Sequence, residues 1–115
     1  MDKSSIVYRL LELPAEIAAA ETKLLDANAL LLGAKAELQH KEDGLYVGVF
    51  EDDGMKIDGK NAEIRNAQLR QFTEVERHAV AAAEDGVAIQ KHHLNKLLNE
   101  FKALQSVADL LKGAA

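Results

Sequence analysis

Nine apolar residues near the start of the chain, Leu10, Leu13, Ile17, Ala20, Leu24, Ala27, Leu31, Ala34 and Leu38, are separated by alternating steps of three and four. A run of this period buries one face only as a helix packed lengthwise on another helix, because a strand would scatter the same positions over both of its faces. A second column, Leu11, Ala18, Leu25 and Leu32, runs beside the first. The apolar surface is therefore wider than a two-stranded seam requires, and it predicts packing on more than one neighbour. Pro14 lacks a backbone donor and suits a first helical turn. It predicts a helix over 13–42, preceded by a short separate helix within 1–12 that Ser4 or Ser5 would cap.

The end of the chain repeats the pattern. Val80, Ala83, Val87, Gln90, Leu94, Leu97, Phe101, Leu104, Ala108 and Leu111 form a continuous seam, while Ala62, Leu69, Phe72, Ala79, Ala83 and Gly86 form a stripe offset from it. No proline falls between Lys60 and Lys112, so the pattern predicts one long helix over 60–112, capped by Asp58, with a phase change or kink at Gly86. Two long helices joined by a compact insert predict an all-α, coiled-coil-like antiparallel hairpin occupying the whole chain as a single domain. Setting Leu38 against Ile64 places the alanines at 18–20 opposite those at 81–83, and Leu10 opposite about His92. In that register Leu94, Leu97, Leu98, Phe101, Leu104 and Leu111 overhang the first helix. An uncovered stripe of this size drives association, so these six residues are the expected interface of a homo-oligomer, dimeric or higher.

Residues 43–59 differ from both flanks. Leu45-Tyr46-Val47-Gly48-Val49-Phe50 is the one β-like run, Glu51-Asp52-Asp53-Gly54 follows as a turn signal, and Met55-Lys56-Ile57 reads as a returning strand. A small β-hairpin insert is expected, with Tyr46, Val47, Phe50, Asp52 and Asp53 as a partner-binding edge. The charge distribution singles out the same segment. Residues 1–41 carry five basic and six acidic groups, 42–58 one and six, and 59–115 eight and seven, so the net charge of -5 resides in the insert. Lys60, Arg65, Arg70 and Arg77 form a basic track beyond it, interrupted by Glu63, Glu74 and Glu76. These four are the candidate phosphate contacts if nucleic acid is a partner.

Catalytic and metal chemistry find no foothold in the sequence. The chain has no cysteine, which removes disulfides, thiolate metal sites and thiol nucleophiles. Asp52, Asp53 and Asp58 lack the alternate-position spacing of a calcium loop, and Gly59-Lys60-Asn61 lacks the hydroxyl of a phosphate loop. His92 and His93 are adjacent and diverge on a helix, with His40 and His78 remote in sequence. Ser4, Ser5, Ser106, Thr22 and Thr73 have no adjoining base in a strand-to-helix elbow. Neither enzymatic activity nor a cofactor is expected. No apolar run is long enough to span a bilayer, and Met1-Asp2-Lys3-Ser4-Ser5 has no signal-peptide character. A cytoplasmic protein without membrane contact is the expectation.

The segment Ile57-Asp58-Gly59-Lys60-Asn61-Ala62-Glu63-Ile64-Arg65-Asn66-Ala67-Gln68-Leu69-Arg70, set between two long helices, resembles small uncharacterised helical proteins of bacteriophages and prophages. The resemblance implies an accessory factor of a phage genome, found in some cases near recombination or replication genes, and it carries over no catalytic residue. The expected function is a non-enzymatic phage-type protein that self-assembles through its C-terminal helix and binds a host or phage protein. Two alternatives stand beside it. One is a nucleic-acid-binding factor in phage recombination or replication, and the other an anti-defence protein that inhibits a host nuclease or sequesters a nucleotide signal.

Overall fold

The computed structural model describes residues 2–113. Its elements, in order, are helix α1 (Lys3–Tyr46), a single 3-10 turn (Glu51–Asp53), helix α2 (Ala62–Phe72) and helix α3 (Glu74–Gly113). The architecture is all-helical, and no strand occurs among the described residues. None of the helices is long and apolar enough to cross a membrane. The chain divides into two compact units, Met1–Ala27 with Gly86–Ala115, and Asn28–Asp85.

In the first unit the predicted seam is the core. Ile6, Leu13 and Ala20 of α1 form one buried cluster with Leu97 and Leu104 of α3, and Leu10, Ile17, Leu94, Phe101 and Ala108 pack around it. The helices are antiparallel: residues Lys3, Ile6 and Val7 face Ala108, Leu111 and Lys112 across a shared groove. Arg9 crosses to α3 and grips Glu100 with both forks of its guanidinium, Nε to Oε2 at 2.7 Å and Nη2 to Oε1 at 2.8 Å. It also bonds Glu12 and Glu16 on its own helix. The bonds to Glu100 raise the Arg9 pKa above its ordinary value and hold the Glu100 carboxyl below the usual carboxylate range. At the start of α1, Asp2 accepts a bond from the Ser5 backbone N–H at 2.8 Å, and this bond lowers its pKa.

Pro14 does not start a helix but lies inside α1, so residues 1–12 hold no separate helix. The missing donor is tolerated because Ile6 and Leu10 on one side of it, and Ile17 and Ala20 on the other, are anchored in the same cluster. Arg9 meets Glu100, one heptad beyond the position expected opposite it. The N-terminal segment therefore lies along the supposed overhang, with Leu97 and Leu104 buried and Leu94 and Phe101 partly buried within the chain itself. Ala20, expected opposite the alanines at 81–83, shares that cluster with Leu97 and Leu104. Of the six proposed interface residues, Leu98 and Leu111 remain exposed.

The second unit departs from the expected pairing as well. The expected helix over 60–112 is broken at Thr73, which separates α2 from α3. Thr73 is fully buried; its hydroxyl donates to the Leu69 carbonyl at 2.6 Å and accepts from Arg77 Nε at 2.9 Å. A β-branched residue bonding back to the preceding turn competes with helix propagation. The break makes α2 part of the connection, so α3 starts at Glu74 and pairs with α1 from there. Lys41 lies 3.7 Å from Glu76 and Glu42 lies 4.0 Å from Arg77.

Candidate protein-binding tip

The β-like run at 45–50 is the C-terminus of α1 and its cap, which overturns the hairpin expectation. Gly48 has φ +83°, a left-handed conformation that glycine adopts without steric cost. Around it Val49 N–H donates to the Gly44 carbonyl at 3.0 Å and Gly48 N–H to Leu45 at 3.4 Å. This pair of bonds is the Schellman arrangement that ends helices at glycine. Beyond it the chain folds over in the 3-10 turn, where Asp53 and Met55 donate to the Phe50 carbonyl and a second left-handed glycine, Gly54, donates to Glu51. The would-be returning strand at 55–57 forms no ladder; it leads into α2.

The cap sorts the apolar side chains into two groups. Phe50 turns inward. A Cβ built on Gly44 would lie 2.5 Å from its ring, so the absence of a side chain there seats the aromatic, and Lys41 Nζ lies 4.3 Å from the ring centroid on a cation–π contact. Tyr46, Val47 and Val49 turn outward, with 60%, 77% and 65% of their surface exposed. Glu51, Asp52 and Asp53 are exposed immediately after them. The tip thus presents three large apolar side chains in a tightly bonded turn, adjoining three carboxylates. Val49 is the member that sequence reasoning missed. The signal for it was Gly48, read as a helix-terminating glycine and not as a strand residue.

Beside the tip is an open cleft of about 390 Å³ lined by Ala36, Glu37, His40, Lys41, Phe50 and Glu76. Its one amine is committed to the Phe50 ring and to Glu76. No group of three or more metal-ligating side chains converges anywhere among the described residues.

The conspicuous segment at 57–70 forms a clasp. Gln68 Oε1 accepts from the backbone N–H groups of Asp58 at 3.1 Å and Gly59 at 2.9 Å, while its Nε2 donates to Asp58 Oδ1 at 2.8 Å. Arg65 donates to the Gly59 carbonyl at 3.1 Å. The cap of α2 is Asn61, whose Oδ1 accepts from Ile64 N–H at 2.9 Å, and not Asp58 as the sequence suggested. A Cβ on Gly59 would stand 2.5 Å from Ile64 Cγ2 and 2.9 Å from the Arg65 nitrogen, so only glycine lets this backbone approach. The clasp divides the basic track: Arg65 is tied to the loop and Arg77 to Thr73 and Glu42. Lys60 and Arg70 are exposed and make no ion pair among the described residues.

Fold and tip together define a class: a small helical protein whose second unit presents an exposed, hydrogen-bonded turn that is apolar and acidic. Comparison of the chain with protein-family models, with curated proteins and with solved structures returns no match.

Proposed function

We propose that this chain is a non-enzymatic accessory protein, of the type bacteriophages encode, that binds another protein through the tip of its second unit. The observation that carries the reading is the exposure of Tyr46, Val47 and Val49 in a turn fixed by the Gly48 cap. Apolar side chains on a backbone already bonded into a turn bind at a reduced ordering cost, and aromatic anchors of this kind carry much of the energy at interfaces. The carboxylates of Glu51, Asp52 and Asp53 alongside favour a partner whose apolar patch is rimmed by Lys or Arg. The resemblance of segment 57–70 supports the phage setting, and the clasp it forms supports a scaffolding role for that segment.

The test is differential capture. Immobilised wild-type protein and a Val47→Ser/Val49→Ser variant are exposed to extracts of bacterial cells, and the retained proteins are quantified. The expected result is a partner enriched on wild type and reduced at least about tenfold on the variant, the loss of two buried apolar contacts. Identical sets of retained proteins would refute the tip as a binding surface.

A further inference from the structure

The second apolar column of α1 has no occupant within the first unit. Tyr8, Leu11, Ala15, Ala18, Thr22 and Leu25 alternate in steps of three and four, and all six are exposed. The three largest, Tyr8, Leu11 and Leu25, expose 68%, 73% and 69% of their surface. At 3.6 residues per turn this seam lies about 160° around the helix from the line of Leu10, Leu13, Ile17 and Ala20. Here α1 therefore has two apolar faces set back to back, one buried on α3 and the other bare.

We infer that a second copy of this chain covers the bare face, α1 against α1 and antiparallel, about a two-fold axis near Glu16 and Ile17. The charges flanking the seam select that occupant and that direction. In a parallel pair Glu21 would lie beside the partner's Asp26, a like-charge contact at the flanking positions that set helix orientation. In the antiparallel pair Glu12 lies beside the partner's Ala19 and Glu21 beside the partner's Pro14, so no like charges are opposed. Lys23, one turn beyond Ala19, comes within reach of the partner's Glu12. The seam is also self-complementary in size. Ala15 faces the partner's Ala18 at the crossing, where small side chains let the axes approach closely, Leu11 faces the partner's Thr22, and Tyr8 closes over the partner's Leu25. This interface is independent of the tip.

Sedimentation equilibrium on the full chain tests the inference. Wild type is expected to be a dimer, and Leu11→Lys/Leu25→Lys to raise its dissociation constant by about 100-fold or more, with unchanged helical circular dichroism because both side chains are exposed in the single chain. Leu110→Lys, on the exposed face of α3, is expected to leave the dimer intact. Orientation is read from disulfides, since the chain has no cysteine of its own. An oxidised equimolar mixture of Glu12→Cys and Ala19→Cys chains should yield the mixed cross-link in peptide maps. A monomeric wild type, a dimer indifferent to the lysine pair, or self-cross-linking of Glu12→Cys would each overturn it.

Discussion

In the first unit Ile6, Leu13, Ala20, Leu97 and Leu104 form one continuous buried cluster, whereas the second unit buries only Leu45, Ala83 and Thr73. The second unit makes up the difference with polar contacts: the Gly48 cap, the Gln68 clasp, the Thr73 hydroxyl relay and the Lys41–Phe50 contact. The first unit is thus held mainly by non-directional packing, and the second by directional bonds within its turn, its loop and the junction of α2 with α3. Packing tolerates a heptad slip, because every third or fourth position offers an equivalent knob. A bonded turn does not, because its donors and acceptors have single partners. The second unit can therefore hold side chains such as Val47 out in water, because bonds and not burial fix the backbone of its turn.

Substitutions can break this contrast, and the largest effect belongs in the packed unit. Leu13 is fully buried, and Leu13→Ala is expected to cost about 2–5 kcal/mol in chemical denaturation; a loss below about 1 kcal/mol would mean that the cluster is not the main support. In the bonded unit, Gly59→Ala forces a Cβ into the Ile64 side chain and the Arg65 backbone, with an expected cost of about 1–3 kcal/mol. Gln68→Ala removes three clasp bonds at partly exposed groups and should cost about 1–2 kcal/mol. If the clasp governs the turn, both changes speed amide exchange over 57–70 while leaving Leu97 and Leu104 protected.

A pH titration separates the units differently. The Glu100 carboxyl binds its proton more weakly in the folded chain than in the unfolded one, because Arg9 holds its charged form. The pair therefore stabilises the first unit above the ordinary carboxylate range, and that stabilisation disappears as pH falls through the lowered folded-state pKa. Glu100→Gln should flatten this acid limb of the stability profile and leave thermal stability at high pH lower than wild type; an unchanged acid limb would show that the pair is not coupled to folding. The smallest expected change in stability is at the tip. Val47→Ser/Val49→Ser should stay within about 0.5 kcal/mol of wild type, since both side chains are exposed.

The helices and their seams were legible in the sequence because a period of three and four survives any register. Leu10, Leu13, Ile17 and Ala20 lie on the buried side of α1 as their spacing requires, and the acidic, apolar character of 46–53 marked the tip. What the sequence misrepresented were features fixed by single residues in context. Leu45 to Phe50 reads as a strand by side-chain type, yet the left-handed Gly48 makes it a helix end. Pro14 reads as a helix start, yet packing on both sides carries α1 through it. No glycine or proline adjoins Thr73 to mark a helix break, yet the helix ends there with its buried hydroxyl bonded to Leu69 and Arg77. The burial of Leu97 and Leu104 by the chain's own N-terminal segment was equally hidden, because a heptad pattern is satisfied in more than one register.

Hydrogen exchange of the full chain, alone and bound to the protein captured by its tip, tests the functional account most directly. The account predicts new protection over residues 46–53, with the clasp at 57–70 and the basic positions Lys60 and Arg70 unchanged. Protection confined to 60–77, with 46–53 exchanging as in the free chain, would contradict it and move the binding surface to the basic track.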